Sequence, residues 1–247
     1  MVSFDSRTGF TDDELGDHPT DTVVSGYEYG SLTRGLTAYW PLDGTTTDVV
    51  GTNDLTLENG ATFAGSGQVG SDSLVLDGVD DAAVTPHGPG LSPPYLTVAA
   101  WVYPLSFTEF TRVVAKDGSQ QAYQFMIRDT GAPAFRVNLN GGWYGDGAFS
   151  PTIPTGQWTH VAGTYDGSTV VGYIDGSPIP LDSVSGTLNT DTGPLALGRR
   201  SDQFQDRFEG QIDDVRIYGR ALSSGEISEL MTRTSPSSAP TTEDRLR

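Results

Sequence analysis

The chain has 247 residues and carries 32 Asp and Glu against 14 Lys and Arg, a formal charge of -18 with a sequence pI near 4.2. A surface this acidic repels phosphate backbones and anionic lipid, which excludes nucleic-acid binding and membrane attachment through basic patches, and the absence of cysteine excludes disulfides and thiol chemistry. Of the acids 24 are Asp, and Lys116 is the single lysine, a composition that fits adaptation to molar salt, where high net charge keeps a surface hydrated, better than it fits an ordinary acidic extracellular domain.

Residues 1–33 are polar and acidic, with Asp12, Asp13, Glu14, Asp17 and Asp21 close together and no apolar period, and they read as an arm. The segment has neither the basic stretch nor the apolar run of a signal peptide, and no apolar run of about 18 residues, the length that spans a bilayer, occurs in the chain. From Leu36 to Met231, short apolar runs alternate with Gly, Asp, Asn and Pro, the punctuation of strands and turns. Ten strands are predicted: LTAYWPL (36–42), SLVLDG (73–78), LTVAAWVYP (96–104), RVVAKDG (112–118), YQFMIRD (123–129), AFRVNLN (134–140), WTHVAGTYD (158–166), TVVGYIDG (169–176), PLALGR (194–199) and QIDDVRIYG (211–219). In AFRVNLN the alternation is strict, with Phe135, Val137 and Leu139 on a buried face and Arg136 and Asn138 opposite. Asp166-Gly167 and Asp175-Gly176 suit tight turns that need positive φ, so this stretch reads as paired hairpins. ALSSGEISEL (221–230) is the one helical segment, capped by Ser223 or Ser224 with Ile227 and Leu230 on one side. Residues 232–247 are rich in Ser, Thr and Pro and form a tail. The prediction is therefore one all-β domain, 34–231, built as a two-sheet antiparallel sandwich with flexible N- and C-terminal arms.

The segments AYWPLDG, SLVLDGVDDAAV, LTVAAWVYP, IPTGQWTHVAGTYDGSTVVGYIDGSPI, PLALGR and FEGQIDDVRIYGRALSSGEI, in this order, resemble the laminin G-like, concanavalin A-like jelly-roll domain and its pentraxin-related branch over about residues 36–231. The resemblance implies a jelly roll and, since the family is mostly a binding and adhesion module, recognition rather than catalysis. The residues agree. Sandwich-fold glycoside hydrolases need two carboxylates facing one cleft, typically as Glu-x-Asp-x-x-Glu, and neither Glu209 with Asp213 nor Glu226 with Glu229 supplies that pattern. His18, His87 and His160 are too scattered for a zinc site, and His160 reads as a sheet residue. No catalytic residue is expected.

Calcium is the one cofactor the loops suggest, as a structural ion. In the resembled fold the first and last strands pair antiparallel, which would make Asp43 and Asp213 neighbours, and the loop TTTDVVGTND, which corresponds to a loop linked with structural calcium in relatives, adds Asp48 and Asn53. The other reading of these four is as turn formers. On the ligand face of pentraxin-like relatives the matching loops are AKDGSQQ and GRRSDQFQD, giving Asp117, Asp202 and Asp206. Arg199 and Arg200 beside them would oppose a divalent cation and suit the carboxylate of an acidic sugar instead. Tyr123, Trp143 and Tyr144 could stack on a glycan or pack in the core; Trp143 and Tyr144 sit in the Gly-rich NGGWYGDG.

These readings converge on a non-catalytic, extracellular recognition protein. One setting is a virion surface, as capsid decoration, turret or tail fibre of a virus of a halophilic host, with the arm docking on neighbouring structural subunits in a homo-oligomer and the jelly roll facing a glycan or host-surface ligand. The alternative is a carbohydrate-binding or adhesion domain of a larger secreted or cell-surface halophilic protein; a glycoside hydrolase ranks below both. Membrane insertion and nucleic-acid partners are not expected. The charge predicts salt-dependent stability: the melting temperature should rise from dilute buffer to molar KCl as self-repulsion is screened, and a flat or falling series would remove the salt-adaptation reading.

Overall fold

The computed structural model describes residues 32–147, 150–203 and 205–232, so the arms expected at 1–33 and 232–247 lie almost wholly outside the described residues. Fifteen strands and one helix follow in order: β1 (Leu36–Trp40), β2 (Thr56–Glu58), β3 (Thr62–Ala64), β4 (Ser73–Asp77), β5 (Ala82–Thr85), β6 (Leu96–Pro104), β7 (Thr111–Lys116), β8 (Tyr123–Ile127), β9 (Pro133–Leu139), β10 (Gly142–Tyr144), β11 (Thr159–Tyr165), β12 (Thr169–Ile174), β13 (Ser177–Ser183), β14 (Leu195–Leu197), β15 (Glu209–Tyr218) and α1 (Ser224–Met231). All ten predicted strands are present. The five others went unread because β2, β3, β5 and β10 have three or four residues, too few to show a period, and β13 carries Pro178 and Pro180.

The strands form two antiparallel sheets packed as a sandwich. One has eight strands, ordered β13-β12-β11-β6-β15-β4-β3, with β1 also pairing β15; the other has seven, ordered β10-β9-β8-β7-β14-β5-β2. β1 lies antiparallel to β15 with Tyr39 opposite Arg216 and Trp40 opposite Val215, so the two ends of the described chain meet in the middle of the larger sheet. The edge strand β13 is mostly exposed, and its prolines remove two ladder donors, which discourages a further strand from adding there. Asp175 and Gly176 both have positive φ, 46° and 74°, and turn β12 into β13 as the Asp-Gly pair requires.

Between the sheets, Trp40, Phe125, Phe135, Val137, Tyr165 and Ile212 belong to one core with more than two dozen other buried apolar side chains. Trp40 is fully buried because its indole N–H finds an acceptor, the Asn53 carbonyl at 2.8 Å. Gly163 of β11 lies against the Phe135 ring of the opposite sheet; a Cβ there would come within 2.1 Å of the ring. A second apolar cluster sits on the outer side of the larger sheet, where Ile227 and Leu230 of α1 cover Ala99, Ala162, Tyr173 and Tyr218, with Leu32 and Leu222 completing it. Ser223 caps α1 in a capping box with Glu226, whose carboxyl is held down at about 2 chiefly by the Arg220 guanidinium. No helix among the described residues is long and apolar enough to cross a membrane.

Lys116 is buried at the end of β7, where its Nζ donates to the carbonyls of Asp191 and Gly193. Burial lowers its pKa to about 8. Asp191, also fully buried, accepts from the backbone N–H of Gly118 at 2.7 Å and of Gly193 at 2.9 Å, so this lysine and aspartate together tie the 189–193 loop to the β7–β8 turn.

The Gly163 contact predicts that Gly163→Ala destabilises the domain by about 1–3 kcal/mol, the usual cost of overpacking a filled core. Urea unfolding checks this, and an unchanged midpoint would show that Phe135 has room to move.

Candidate ligand-binding face

The outward face of the seven-stranded sheet is built by alternation. Tyr123, Phe125, Ile127, Phe135, Val137 and Leu139 point into the core, which turns Gln124 and Met126 of β8 and Arg136 and Asn138 of β9 outward. The register sets Gln124 opposite both Arg136 and Ala115, Ala115 opposite Ala196, and Arg112 opposite Met126. In β10, Trp143 is opposite Asn138 and shares its outward face. Contrary to the open face expected of AFRVNLN, Gln124, Met126, Asn138 and Arg112 are all buried. Long side chains and loops lie over them. Asn138, for example, accepts from the Gly141 backbone and from Asn189.

Over this floor the charged groups interlock. The Asp117 Oδ1 accepts from both the backbone N–H and the hydroxyl of Ser201 at 3.0 Å, while its Oδ2 lies 3.6 Å from Arg112 Nε and 4.0 Å from Arg200 Nε. Arg112 also pairs with Asp206 at 3.1 Å, Arg199 with Glu58 at 2.7 Å, and Arg200 Nε lies 3.8 Å from Asp202. Arg136 stacks on Trp143 at 4.7 Å, and Arg112 and Arg128 stand 5.7 and 5.6 Å from the Phe110 ring. Burial pulls the Arg112 and Arg136 pKa values below the ordinary guanidinium value, opposed by Asp117 with Asp206 and by Asp146 with Asp117 respectively. At the far end of the same face, Glu58 also borders an open depression of about 440 Å³ lined by Thr56, Val84, His87 and Thr192.

The structure thus brings Asp117, Arg199, Arg200, Asp202 and Asp206 together and places Trp143 on the same face. Two expectations need correction. Tyr123 is fully buried, its hydroxyl donating to the Leu91 carbonyl at 2.9 Å, and presents no ring to a ligand. Tyr144, opposite Val137, is turned inward and packs on the core. The missed residues are Arg112, Gln124 and Arg136. Arg136 was visible as an outward position, but Arg112 and Gln124 gave no signal, because their grouping depends on the β7–β8–β9 register.

The expected calcium ligands do not converge as ligands. Asp48 accepts from the backbone N–H groups of Tyr39, Val50, Gly51 and Asn53 and from the Asn53 amide, so Asn53 donates to it rather than joining it at an ion. Asp43 accepts from Ser71 and Asp72 N–H, and Asp213 from Gln68 and Val69 N–H. Backbone N–H groups are aimed at both Asp48 oxygens, at Asp43 Oδ1 and at Asp213 Oδ2, an arrangement that fits loop fastening, while Asp213 Oδ1 is buried and makes no hydrogen bond. Among the described residues, Asp77, Asp80 and Asp81 on the β4–β5 turn, two of them exposed, are the acids whose oxygens approach one another as a group of three. His160 is a sheet residue as expected, edge-on to Trp101 at 5.3 Å and kept neutral, its pKa lowered to about 3 mainly by burial.

The family model of the concanavalin A-like lectin/glucanases superfamily matches residues 77–228. Domain 4 of the extracellular arabinanase AbnA of Geobacillus stearothermophilus, solved in complex with arabinotriose, is similar with 27% identity and a TM-score of 0.66 over 80% of this chain and 98% of that one. The binding domain of Paraclostridial Mosquitocidal Protein 1, at 16% identity and a TM-score of 0.63, and that of botulinum neurotoxin serotype D, at 13% and 0.63, share the fold; this chain covers about half of each, 52% and 51%. In sequence, 143 residues are 28% identical to the adhesion G-protein coupled receptor V1 of Danio rerio, over 54% of this chain and 2% of that protein.

Burial raises the Asp213 carboxyl from 3.8 to about 7, against the opposing pull of the Val69 and Gln68 N–H groups. Between about pH 4 and 7 the folded state therefore holds a proton that the unfolded chain has lost. The associated stability is fully present below that window and is gone once pH has risen through 7. Asp213→Asn, a neutral acceptor at every pH, should gain stability relative to the parent between pH 5 and pH 8 in urea titrations. A difference that stays flat with pH would mean that Asp213 is ionised throughout.

Proposed function

Because the chain belongs to the concanavalin A-like lectin/glucanases superfamily, we propose that it is a non-catalytic, extracellular glycan-recognition module whose ligand surface is the outward face of the seven-stranded sheet. The observation that carries this reading is the joining on one face of an outward tryptophan, Trp143, with arginine, carboxylate and amide side chains. An aromatic plane beside directional polar groups is the usual equipment for holding a sugar ring. The similarity to a domain solved with arabinotriose and the similarity to a stretch of an adhesion receptor support binding or adhesion rather than turnover.

The setting we favour is the exterior of an assembly in a high-salt environment, a virion surface above all, on the strength of the acidic, nearly lysine-free composition. The likeness to one domain of an extracellular arabinanase supports the second setting, a binding domain carried by a larger secreted protein.

A glycan array probed in molar KCl should retain the protein on a limited set of glycans, and Trp143→Ala should weaken that retention about tenfold or more, the scale of losing a stacked aromatic anchor. Bound glycans should be recovered uncut. Retention on no glycan, or retention indifferent to Trp143, would reject the assignment of this face, and cleaved glycans would reject the non-catalytic reading.

A further inference from the structure

Among the buried polar atoms on the outward face of the seven-stranded sheet that make no hydrogen bond are Gln124 Oε1, Asp117 Oδ2 and the Nε atoms of Arg112, Arg136 and Arg200, the last four held only by ion pairs at 3.2–4.0 Å. Gln124 and Asp117 are 3% and 1% exposed. Buried polar groups are ordinarily satisfied, so this concentration calls for a partner. Two of the atoms are acceptors and three are guanidinium donors, and that mixture narrows its chemistry. A divalent cation would face three guanidinium groups, and inorganic sulfate has no proton to give Gln124 or Asp117. A ring bearing hydroxyls next to a carboxylate answers both needs: hydroxyls donate to the acceptors, and the carboxylate accepts from guanidinium.

Charge distribution points the same way. Nine arginines are described in this chain of net charge -18, and six of them, Arg112, Arg128, Arg136, Arg199, Arg200 and Arg207, gather on this face and the loops bordering it. They meet five carboxylates there, Glu58, Asp117, Asp146, Asp202 and Asp206, so this face is close to charge balance on a molecule that is otherwise strongly acidic and repels an anion less than the rest of the surface does. Arg200 and Arg136 are both partly exposed on this face. Arg200, with its side chain 23% exposed, lies 3.8 and 4.0 Å from its carboxylates, beyond hydrogen-bond distance. Arg136, 18% exposed, rests on Trp143 and on Asp146, which is itself 52% exposed. Arg136 lies opposite Gln124 and Arg200 within ion-pair range of Asp117, whereas Arg112, 4% exposed and paired with Asp206, is more deeply enclosed.

Building on the reading of this face as a glycan surface, we infer that it holds a subsite for an acidic sugar, a uronate. Its carboxylate is taken by Arg136 and Arg200, one of its hydroxyls donates to Gln124 Oε1, and Trp143 lies beside the ring.

The test is calorimetric titration of the full chain, in molar KCl, with an oligogalacturonate and an oligoglucuronate, each compared with the same oligomer methyl-esterified at its carboxylates. At least one acid should bind about tenfold or more tightly than its ester, a margin suited to charge-assisted hydrogen bonds. Arg136→Gln and Arg200→Gln should each bring the acid-to-ester ratio toward one without a large change in melting temperature. Gln124→Leu should weaken acid and ester alike and leave the ratio, with the melting temperature and the binding stoichiometry unchanged, which separates lost contact from lost folding. Arg200, at the surface of a loop, provides the variant least exposed to misfolding. Equal binding of acid and ester, both sensitive to Trp143→Ala, would overturn the acidic subsite while leaving the glycan face in place. Binding of neither, with other glycans still retained through Trp143, would overturn it equally, and retention of no glycan at all would remove both readings.

Discussion

The pairing of β1 with β15 is the constraint on which the rest of the domain depends. β15 runs ten residues through the middle of the larger sheet and is shared by β1, β4 and β6, so the first described strand cannot find its place until nearly the last has formed. Three carboxylates then work around this seam. Asp48 gathers the loop after β1, and Asp43 and Asp213, reaching from β1's end and from β15, hold successive N–H groups of the loop before β4. Non-local contacts of this kind favour slow, cooperative folding, because the loop entropy is spent before the sheet gives anything back.

Most of the fold was legible from residues, and the limits of that reading have physical causes. Strands of five or more residues announced themselves through apolar runs and turn residues, with β13 the exception because its prolines and exposure mimic a loop. The helix was readable from a capping serine, Ser223 or Ser224, and from Ile227 and Leu230 on one side, and the structure makes Ser223 the cap. The site was only half legible. Asp117, Arg199, Arg200 and Asp202 stood out as loop residues and do come together, whereas Gln124 and Arg112 look like any strand residues until register sets them beside Arg136 and Arg200. Tyr123 and Tyr144 show the opposite error, since an aromatic ring suits a core as well as a sugar and only strand parity separates the two. Asp and Asn in a loop read equally as ion ligands or as acceptors for backbone N–H, and around Asp48 it is the N–H groups of Val50, Gly51 and Asn53 that meet the carboxylate.

The two sheets have different exteriors. The larger sheet covers part of its outer side with the apolar contact under α1, and beside it Arg216 stacks on Tyr39 at 4.4 Å and bonds Asp214 at 2.9 Å. The smaller sheet covers its outer side with long polar side chains that meet one another at ion-pair distances, several of them too long for hydrogen bonds. The back of the sandwich is thus closed by apolar packing and the front by ion pairs.

The burial of Lys116 has a practical consequence. The only side-chain amine in the protein is enclosed between backbone carbonyls, so chemistry that acts on lysine finds no target on the folded surface. Acetylation or isopeptide conjugation has no exposed side chain to use, and amine-directed dyes and cross-linkers can reach only the α-amino group. A lysine introduced at a chosen exposed position would therefore be a unique surface handle, and acquired reactivity of Lys116 itself would report opening of the β7–β8 corner.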